Sequence, residues 1–103
     1  MANSNAVLAA LAEPNRRKLV EALRHGPLTV TQLAKRVPVS QSGVSQHLAV
    51  LTKAAIVEHE VVGTSRHYRL RPETLGELRD YVSTLWDDAL AEFQSRQRPK
   101  AKR

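Results

Sequence analysis

The sequence contains no cysteine and few aromatic residues. Without thiols it can form neither disulfide bonds nor thiolate metal sites. Aromatic residues make up only 4% of the 103 residues, so we expect an aliphatic core. No apolar run approaches the roughly 18 residues of a transmembrane helix, and no basic stretch followed by an apolar one indicates a signal peptide. These absences predict one small domain that has no membrane segment and acts in the cytoplasm.

Residues that would indicate catalysis are missing as well. The four glycines are scattered, which excludes a phosphate-binding loop. None of the four histidines stands beside an obvious nucleophile. We therefore predict that the protein is not an enzyme and needs no cofactor.

The net charge of +6 is unevenly distributed along the chain. Residues 1–71 carry ten Lys or Arg against four Glu, whereas residues 72–95 carry one Arg against six acidic residues. Residues 96–103 carry five Lys or Arg and no acid. A basic first part of this kind is the expected footprint of a phosphate-binding surface.

Residues 40–52 have the pattern of a short amphipathic helix. Val44, Leu48 and Leu51 recur at i, i+4 and i+7, which places them on one face. Glutamine can pair with adenine, serine can bond several base edges and alanine can touch a thymine methyl, so a small uncharged face suits base reading. The alternative is an ordinary polar surface helix. The candidate reading residues, beginning with the predicted N-cap, are Ser40, Gln41, Ser42, Ser45, Gln46 and Ala49.

A second short helix is predicted just upstream, over residues 28–37. Thr29 and Gln32 fit a capping box, and Pro38 prevents the helix from continuing. Two short helices joined by a tight turn, the second with a small polar face, form a helix-turn-helix.

Two β-rich runs follow, over residues 57–62 and 66–70, and Gly63 supplies the positive φ of a hairpin turn. Alternation predicts one buried face on the first strand, formed by Val57, His59 and Val61. Helix-turn-helix and hairpin together make a winged helix. The hairpin turn is either a solubilising tip or a contact for phosphate or the minor groove; the candidate contacts are Thr64, Ser65, Arg66 and Arg69.

The ends of the chain are predicted to be helical. Residues 5–12 form a short apolar helix, and Pro14 opens a second helix that ends near Gly26. Arg16 and Arg17 in that second helix are either solvated or able to reach a DNA phosphate.

Pro72 opens a long last helix with an apolar stripe. The stripe is too wide for one small domain to cover, so we expect a homodimer rather than a helix folded back on its own core. Residues 1–95 would then form one domain, and residues 96–103 a disordered basic tail. The predicted dimer residues are Val7, Leu8, Leu11, Leu78, Val82, Leu85, Trp86, Ala89 and Phe93.

Several of these segments resemble the ArsR/SmtB family of bacterial repressors. The resemblance lies in residues 41–51, in Ile56-Val57, in Gly63 with the strand after it, and in residues 12–17. It implies a mainly α winged helix-turn-helix of about five helices, which dimerises through its first and last helices and binds an inverted repeat in double-stranded DNA. Ala55 departs from the family, which usually has Gly there, so we expect a different helix end. Gly43, inside the reading helix, is expected to be a local weakness.

Many members of this family sense metals, but this sequence lacks their ligands. Thr29 and Thr31 stand where the family has its thiolate pair, and no histidine follows His67 to join the aspartates of the last helix. Carboxylates alone bind zinc poorly. We therefore expect a repressor without a metal effector, and no residue indicates another small-molecule effector. The remaining alternatives are a metal sensor with an unusual site and a winged helix that binds protein.

Overall fold

The structure, a computed structural model, describes residues 3–97 and has the predicted winged helix-turn-helix architecture. The elements in chain order are α1 (Ser4–Leu11), α2 (Pro14–Ala22) with a 3-10 turn (Leu23–His25), α3 (Val30–Ala34), α4 (Gln41–Lys53), β1 (Val57–Val62), β2 (Ser65–Leu70) and α5 (Pro72–Gln97). The two strands form an antiparallel hairpin, with Val57 opposite Leu70 and Val62 opposite Ser65. None of the helices in residues 3–97 is both long and apolar enough to cross a membrane.

Polar side chains fix where the helices begin. The Thr29 and Gln32 capping box is present as predicted, and the Ser40 hydroxyl accepts the backbone N–H of Gly43 at 3.1 Å. Glu13 caps α2 by accepting the Arg16 N–H at 3.0 Å. That hydrogen bond stabilises the carboxylate and holds the pKa of Glu13 below its ordinary value.

The predicted boundaries of α3 were too wide. The helix begins at Val30 rather than at residue 28, because Leu28 pairs with the hairpin instead. Its backbone N–H donates to the Tyr68 carbonyl at 3.0 Å, and the Tyr68 N–H donates back at 2.9 Å. This bridge ties the wing to the start of the helix-turn-helix.

The core is aliphatic, as the composition predicted. Its fully buried side chains come from α2, α3, α4 and the segment just after α4. They are Leu19, Leu33, Val44, Leu48, Leu51, Ile56 and Val57. Among the described residues, Tyr68 is the only aromatic side chain in this core.

The predicted buried face of β1 was wrong beyond its first residue. Val57 is 1% exposed, but Val61 is 64% exposed and His59 is also exposed. The hairpin extends past the core, so only its base has apolar neighbours to pack against. The predicted turn is confirmed, since Gly63 has φ +64°.

The expectation that α4 would end differently for lack of glycine was also wrong. Ala55 takes the left-handed conformation itself, with φ +62°, and among the described residues it is the only non-glycine with positive φ. The Ala55 N–H bonds to the Thr52 carbonyl and the Ile56 N–H to the Leu51 carbonyl, both at 2.9 Å. These two bonds form a complete Schellman motif.

Gly43 has a structural purpose that the sequence did not indicate. A Cβ at this position would overlap Cγ1 of Val39, in the turn before α4. The missing side chain therefore lets the helix-turn-helix close tightly, and the position is more than a local weakness.

The last helix does not fold back on its own core, so that alternative is excluded. Leu75 and Leu78 pack against the core, but the stripe beyond them is exposed. The helix also continues through Gln97, so residues 96 and 97, predicted to belong to the disordered tail, are helical. Residues 98–103, the rest of the predicted tail, lie outside the described residues.

Candidate nucleic-acid interface

The predicted reading residues share one exposed face of α4. Ser42, Ser45, Gln46 and Ala49 all point away from the core formed by the opposite face. Within residues 3–97, the side chains of Ser45 and Gln46 make no hydrogen bond, so their polar atoms remain available. The amide of Gln41 is 3.4 Å from the Thr31 hydroxyl, which ties it to α3. Ser40 uses its hydroxyl for the helix cap.

Lys53 belongs to the same face, and the sequence reasoning missed it. It is exposed and stands one helical turn after Ala49. The signal was available as i+4 periodicity from Ser45 and Ala49. Lys53 adds a positive charge at the carboxyl end of an otherwise uncharged face.

A groove of about 450 Å³ separates α4 from the hairpin. Lys53 on the helix and Arg66 on the hairpin both line this groove, and no acidic side chain does. The remaining lining residues are Val30, Ser45, Ala49, Thr52, His59 and Tyr68. A polyanion would therefore meet cations on both walls.

The hairpin turn borders a second depression, of about 320 Å³, against the start of α3. Thr64, Ser65 and Arg66 line one side, and Thr29 and Thr31 line the other. The structure thus brings together three of the four predicted wing residues. Arg66 lines both depressions and is the cation that connects them.

Arg69, the fourth predicted wing residue, lies on the other face of the hairpin. It pairs across the strands with Glu58, and Arg66 pairs with Val61 on the opposite face. Its guanidinium is 3.0 Å from a Glu58 oxygen and 2.9 Å from a Glu60 oxygen. The hydrogen bonds that Arg69 donates to these two carboxylates raise the pKa of Arg69 above its ordinary value.

Arg16 and Arg17 bond to the carboxyl end of α1. Arg16 Nε donates to the Ala10 carbonyl at 2.7 Å, and Arg17 Nη1 donates to the Leu11 carbonyl at 2.6 Å. Both arginines therefore satisfy carbonyls that the short helix leaves without partners. No sequence pattern indicates these bonds, because the acceptors are backbone atoms of another helix.

The predicted dimer residues form an exposed apolar face, with one correction. Val7 is only 2% exposed and belongs to the chain's own core, while Leu11 and Leu78 are half-buried. Tyr81, which was not predicted, is 46% exposed on α5. The strongly exposed members are Leu8, Val82, Leu85, Trp86, Ala89 and Phe93.

The structure does not assemble a metal site within residues 3–97. No three His, Asp or Glu side chains in this part of the chain come close enough to hold an ion. Asp80 bonds to the neighbouring Arg79 at 3.1 Å instead. Thr29 is engaged in the capping box of α3.

Comparisons with known proteins agree with this geometry. A family described as a helix-turn-helix domain matches residues 11–60. The HTH-type transcriptional regulator Rv2034 of Mycobacterium tuberculosis is 46% identical over 84 residues, which cover 82% of this chain and 78% of the relative.

Two solved structures share the fold. The crystal structure of a possible transcriptional regulator for arsenical resistance is 41% identical, with a TM-score of 0.72, over 90% of this chain and 96% of that one. The second is a solution structure of a homodimeric winged helix-turn-helix DNA-binding domain from Mycobacterium bovis, a possible ArsR-family regulator. It is 26% identical, with a TM-score of 0.67, over 85% of this chain and 82% of that one.

The similar regulator from Mycobacterium tuberculosis and the shared fold lead to one conclusion. The chain belongs to the ArsR/SmtB family of winged helix-turn-helix transcriptional regulators, a family of DNA-binding proteins rather than of enzymes.

Proposed function

We propose that this chain is a dimeric, metal-independent repressor that reads an inverted-repeat operator in the cytoplasm. The observation that carries the proposal is the uncharged face of α4 beside a groove with cations on both walls. Base reading needs small polar groups that can reach base edges, whereas affinity needs cations that neutralise phosphates. The interface separates these two roles in space.

In this proposal α4 lies in the major groove. Gln46 is the principal reader, because its amide can make a bidentate pair with adenine and is exposed without a partner among the described residues. Ser42 and Ser45 bond neighbouring base edges, and Ala49 is small enough to touch a thymine methyl. Ser40 and Gln41 contribute mainly by fixing the start of the helix.

The DNA backbone follows the groove between α4 and the hairpin. Lys53 and Arg66 contact phosphates there, and Thr64 and Ser65 add neutral hydrogen bonds. Arg69 braces the two strands, because its guanidinium is already shared by two carboxylates on the opposite face.

The exposed faces of α1 and α5 support the dimer. Leu85 and Trp86 are 54% and 62% exposed, which is costly for large apolar side chains in water. A standard interface of about 800 Å² per partner would cover them. The similar domain from Mycobacterium bovis is homodimeric, which supports a dimer of this chain as well. A two-fold axis would place two copies of α4 against one side of the duplex.

The experiment that tests base reading compares Gln46→Ala with Arg66→Ala. We expect Gln46→Ala to weaken operator binding by about 1–3 kcal/mol and leave random DNA almost unchanged. Arg66→Ala should weaken both DNAs alike and flatten the log–log salt slope by about one unit. The measurement is fluorescence anisotropy at several salt concentrations, with an operator selected from the DNA upstream of the protein's own gene.

Arg79→Ala is the matched control for charge. It removes the same charge from an exposed position on α5, a helix that contributes no residue to the groove lining, so the slope should not change. A winged helix that binds protein would show no operator preference at all. Identical behaviour of the Gln46 and Arg66 variants on both DNAs would contradict the separation of reading from anchoring.

The proposed metal independence is supported by the missing thiolates, and within residues 3–97 no three possible ligands form a cluster. We expect zinc, nickel and cobalt to leave the protein–operator complex intact. The measurement is a metal titration of the complex, followed by anisotropy. Release at micromolar metal with a defined stoichiometry would establish an unusual metal site.

A further inference from the structure

Arg16 belongs to α2, and its side chain contacts both α1 and α4. Its Nε and Nη2 donate to the carbonyls of Ala10 and Ala9 in α1, at 2.7 and 3.4 Å. Its Nη1 lies 3.5 Å from Nδ1 of His47, which belongs to α4. The guanidinium therefore connects α1, where a partner is expected to pack, with α4, which reads DNA.

The contact with α4 is made at Nδ1 of the His47 ring. A guanidinium only donates hydrogen bonds, so Nδ1 stands in the acceptor position of this contact. The ring is half-buried, and His47 lies between the exposed Gln46 and the fully buried Leu48. A contact at this ring therefore acts at the boundary between the exposed face and the core face of α4.

Arg17 provides a natural comparison, since it shares only one of these functions. Its Nη1 donates to the carbonyls of Leu11 and Ala12, at 2.6 and 3.1 Å. It makes no hydrogen bond to α4 in the described part of the chain. Adjacent arginines thus cap the same helix end, but only Arg16 reaches the recognition helix.

We propose that Arg16 is a positioning residue that sets the orientation of the recognition helix against α1 through His47. The inference rests on the proposed function, because it assumes that α4 reads an operator and that α1 packs on a partner. It adds that the two surfaces are mechanically connected. A partner that orders α1 orders the carbonyls of Ala9 and Ala10, which fix the guanidinium and, through it, His47.

The test separates positioning from simple capping. Arg16→Lys keeps the charge but loses the fork that reaches two helices at once, and His47→Leu removes the acceptor. We expect either change to reduce the ratio of operator to random-DNA affinity by roughly three- to ten-fold, the usual value of one hydrogen bond. Unlike His47→Leu, His47→Asn should keep the wild-type ratio, because the side-chain carbonyl oxygen of asparagine would lie near the position of Nδ1. The readout is anisotropy on both DNAs, with dimer formation verified by sedimentation.

Arg17→Lys is the matched control. It should lower the melting temperature by weakening the cap of α1 while leaving the affinity ratio unchanged. The double variant Arg16→Lys with His47→Leu should lose no more of the ratio than either single variant, because both changes break the same contact.

Two results would overturn this inference and leave the proposed function standing. One is an unchanged ratio of operator to random-DNA affinity in Arg16→Lys, and the other is an equal loss of that ratio in His47→Asn and His47→Leu. A wild-type chain without operator preference would instead overturn the proposed function and the inference with it.

Discussion

At the scale of single residues, Ala55 adopts an unfavourable backbone conformation that the rest of the fold stabilises. A left-handed conformation costs a residue with a Cβ about 1–2 kcal/mol, yet Ala55 adopts it and completes the Schellman motif. The motif is set by the direction in which the chain must leave α4 to place Ile56 in the core. Packing of Ile56, which is fully buried, therefore outweighs the backbone preference of the preceding alanine.

Ala55→Gly should raise the free energy of unfolding by about 1 kcal/mol, because glycine adopts positive φ without the Cβ penalty. The matched control is Ala54→Gly, one residue earlier, where φ is −80° and the side chain is 6% exposed. That change should destabilise the protein. Both are measured by urea denaturation at one chain concentration, and a destabilised Ala55→Gly would show that the left-handed turn is not strained.

The residues that could be predicted are those whose partners are close in sequence. Ser40 and the Thr29–Gln32 pair act on backbone groups three residues away, so their spacing alone identifies them. Arg16 bonds to His47 across 31 positions, and no local pattern records such a contact. Arg66 and Arg69 are three positions apart, so strand alternation already assigns them to opposite faces. The pairing of Arg69 with Glu58 and Glu60 on the opposite strand was not predicted.

At the scale of elements, the close approach of α4 to the turn before it depends on Gly43. Gly43→Ala should destabilise the protein although alanine favours helices, because its Cβ would overlap the side chain of Val39. The control is Gly76→Ala in α5, where the nearest atom would be Arg79 Nη2 at 3.8 Å, an ordinary contact. That change should stabilise the protein by about 0.5–1 kcal/mol. Thermal unfolding of the two variants measures the difference, and a more stable Gly43→Ala would contradict the close approach.

The helices and strands could be predicted from the sequence, but the tertiary contacts that bury or extend them could not. Apolar periodicity identified α4 and α5, and the glycine turn identified the hairpin. Periodicity does not record how far the core extends, so Val61 was predicted as buried although it lies beyond the core. The start of α3 was misplaced because the Leu28–Tyr68 bridge is a tertiary interaction.

At the scale of the whole molecule, the proposed dimer would connect assembly with DNA binding through the apolar face of α1 and α5. Leu85→Asp would place a charge in the proposed interface, which is costly without a partner. We expect this variant to sediment as a monomer and to lose operator binding, although all residues of the reading face are unchanged.

The control for this prediction is Ala91→Asp, on the same helix. Ala91 is exposed and lies roughly opposite the apolar stripe at helical spacing, so the variant should remain a dimer with full affinity. Circular dichroism verifies that both variants are folded. A folded Leu85→Asp monomer that still binds the operator tightly would contradict the connection.

The exposed second half of α5 also has a consequence for how the regulator responds to its own abundance. Beyond Leu78 this helix has almost no buried side chain from its own chain, and in the proposed dimer a second chain supplies its apolar environment. When the operator binds only paired chains, its occupancy at low abundance rises with the square of the number of chains rather than in proportion. A two-fold change in synthesis would then produce about a four-fold change in occupancy. The exposed second half of α5 would thus make operator occupancy depend more steeply than linearly on the number of chains.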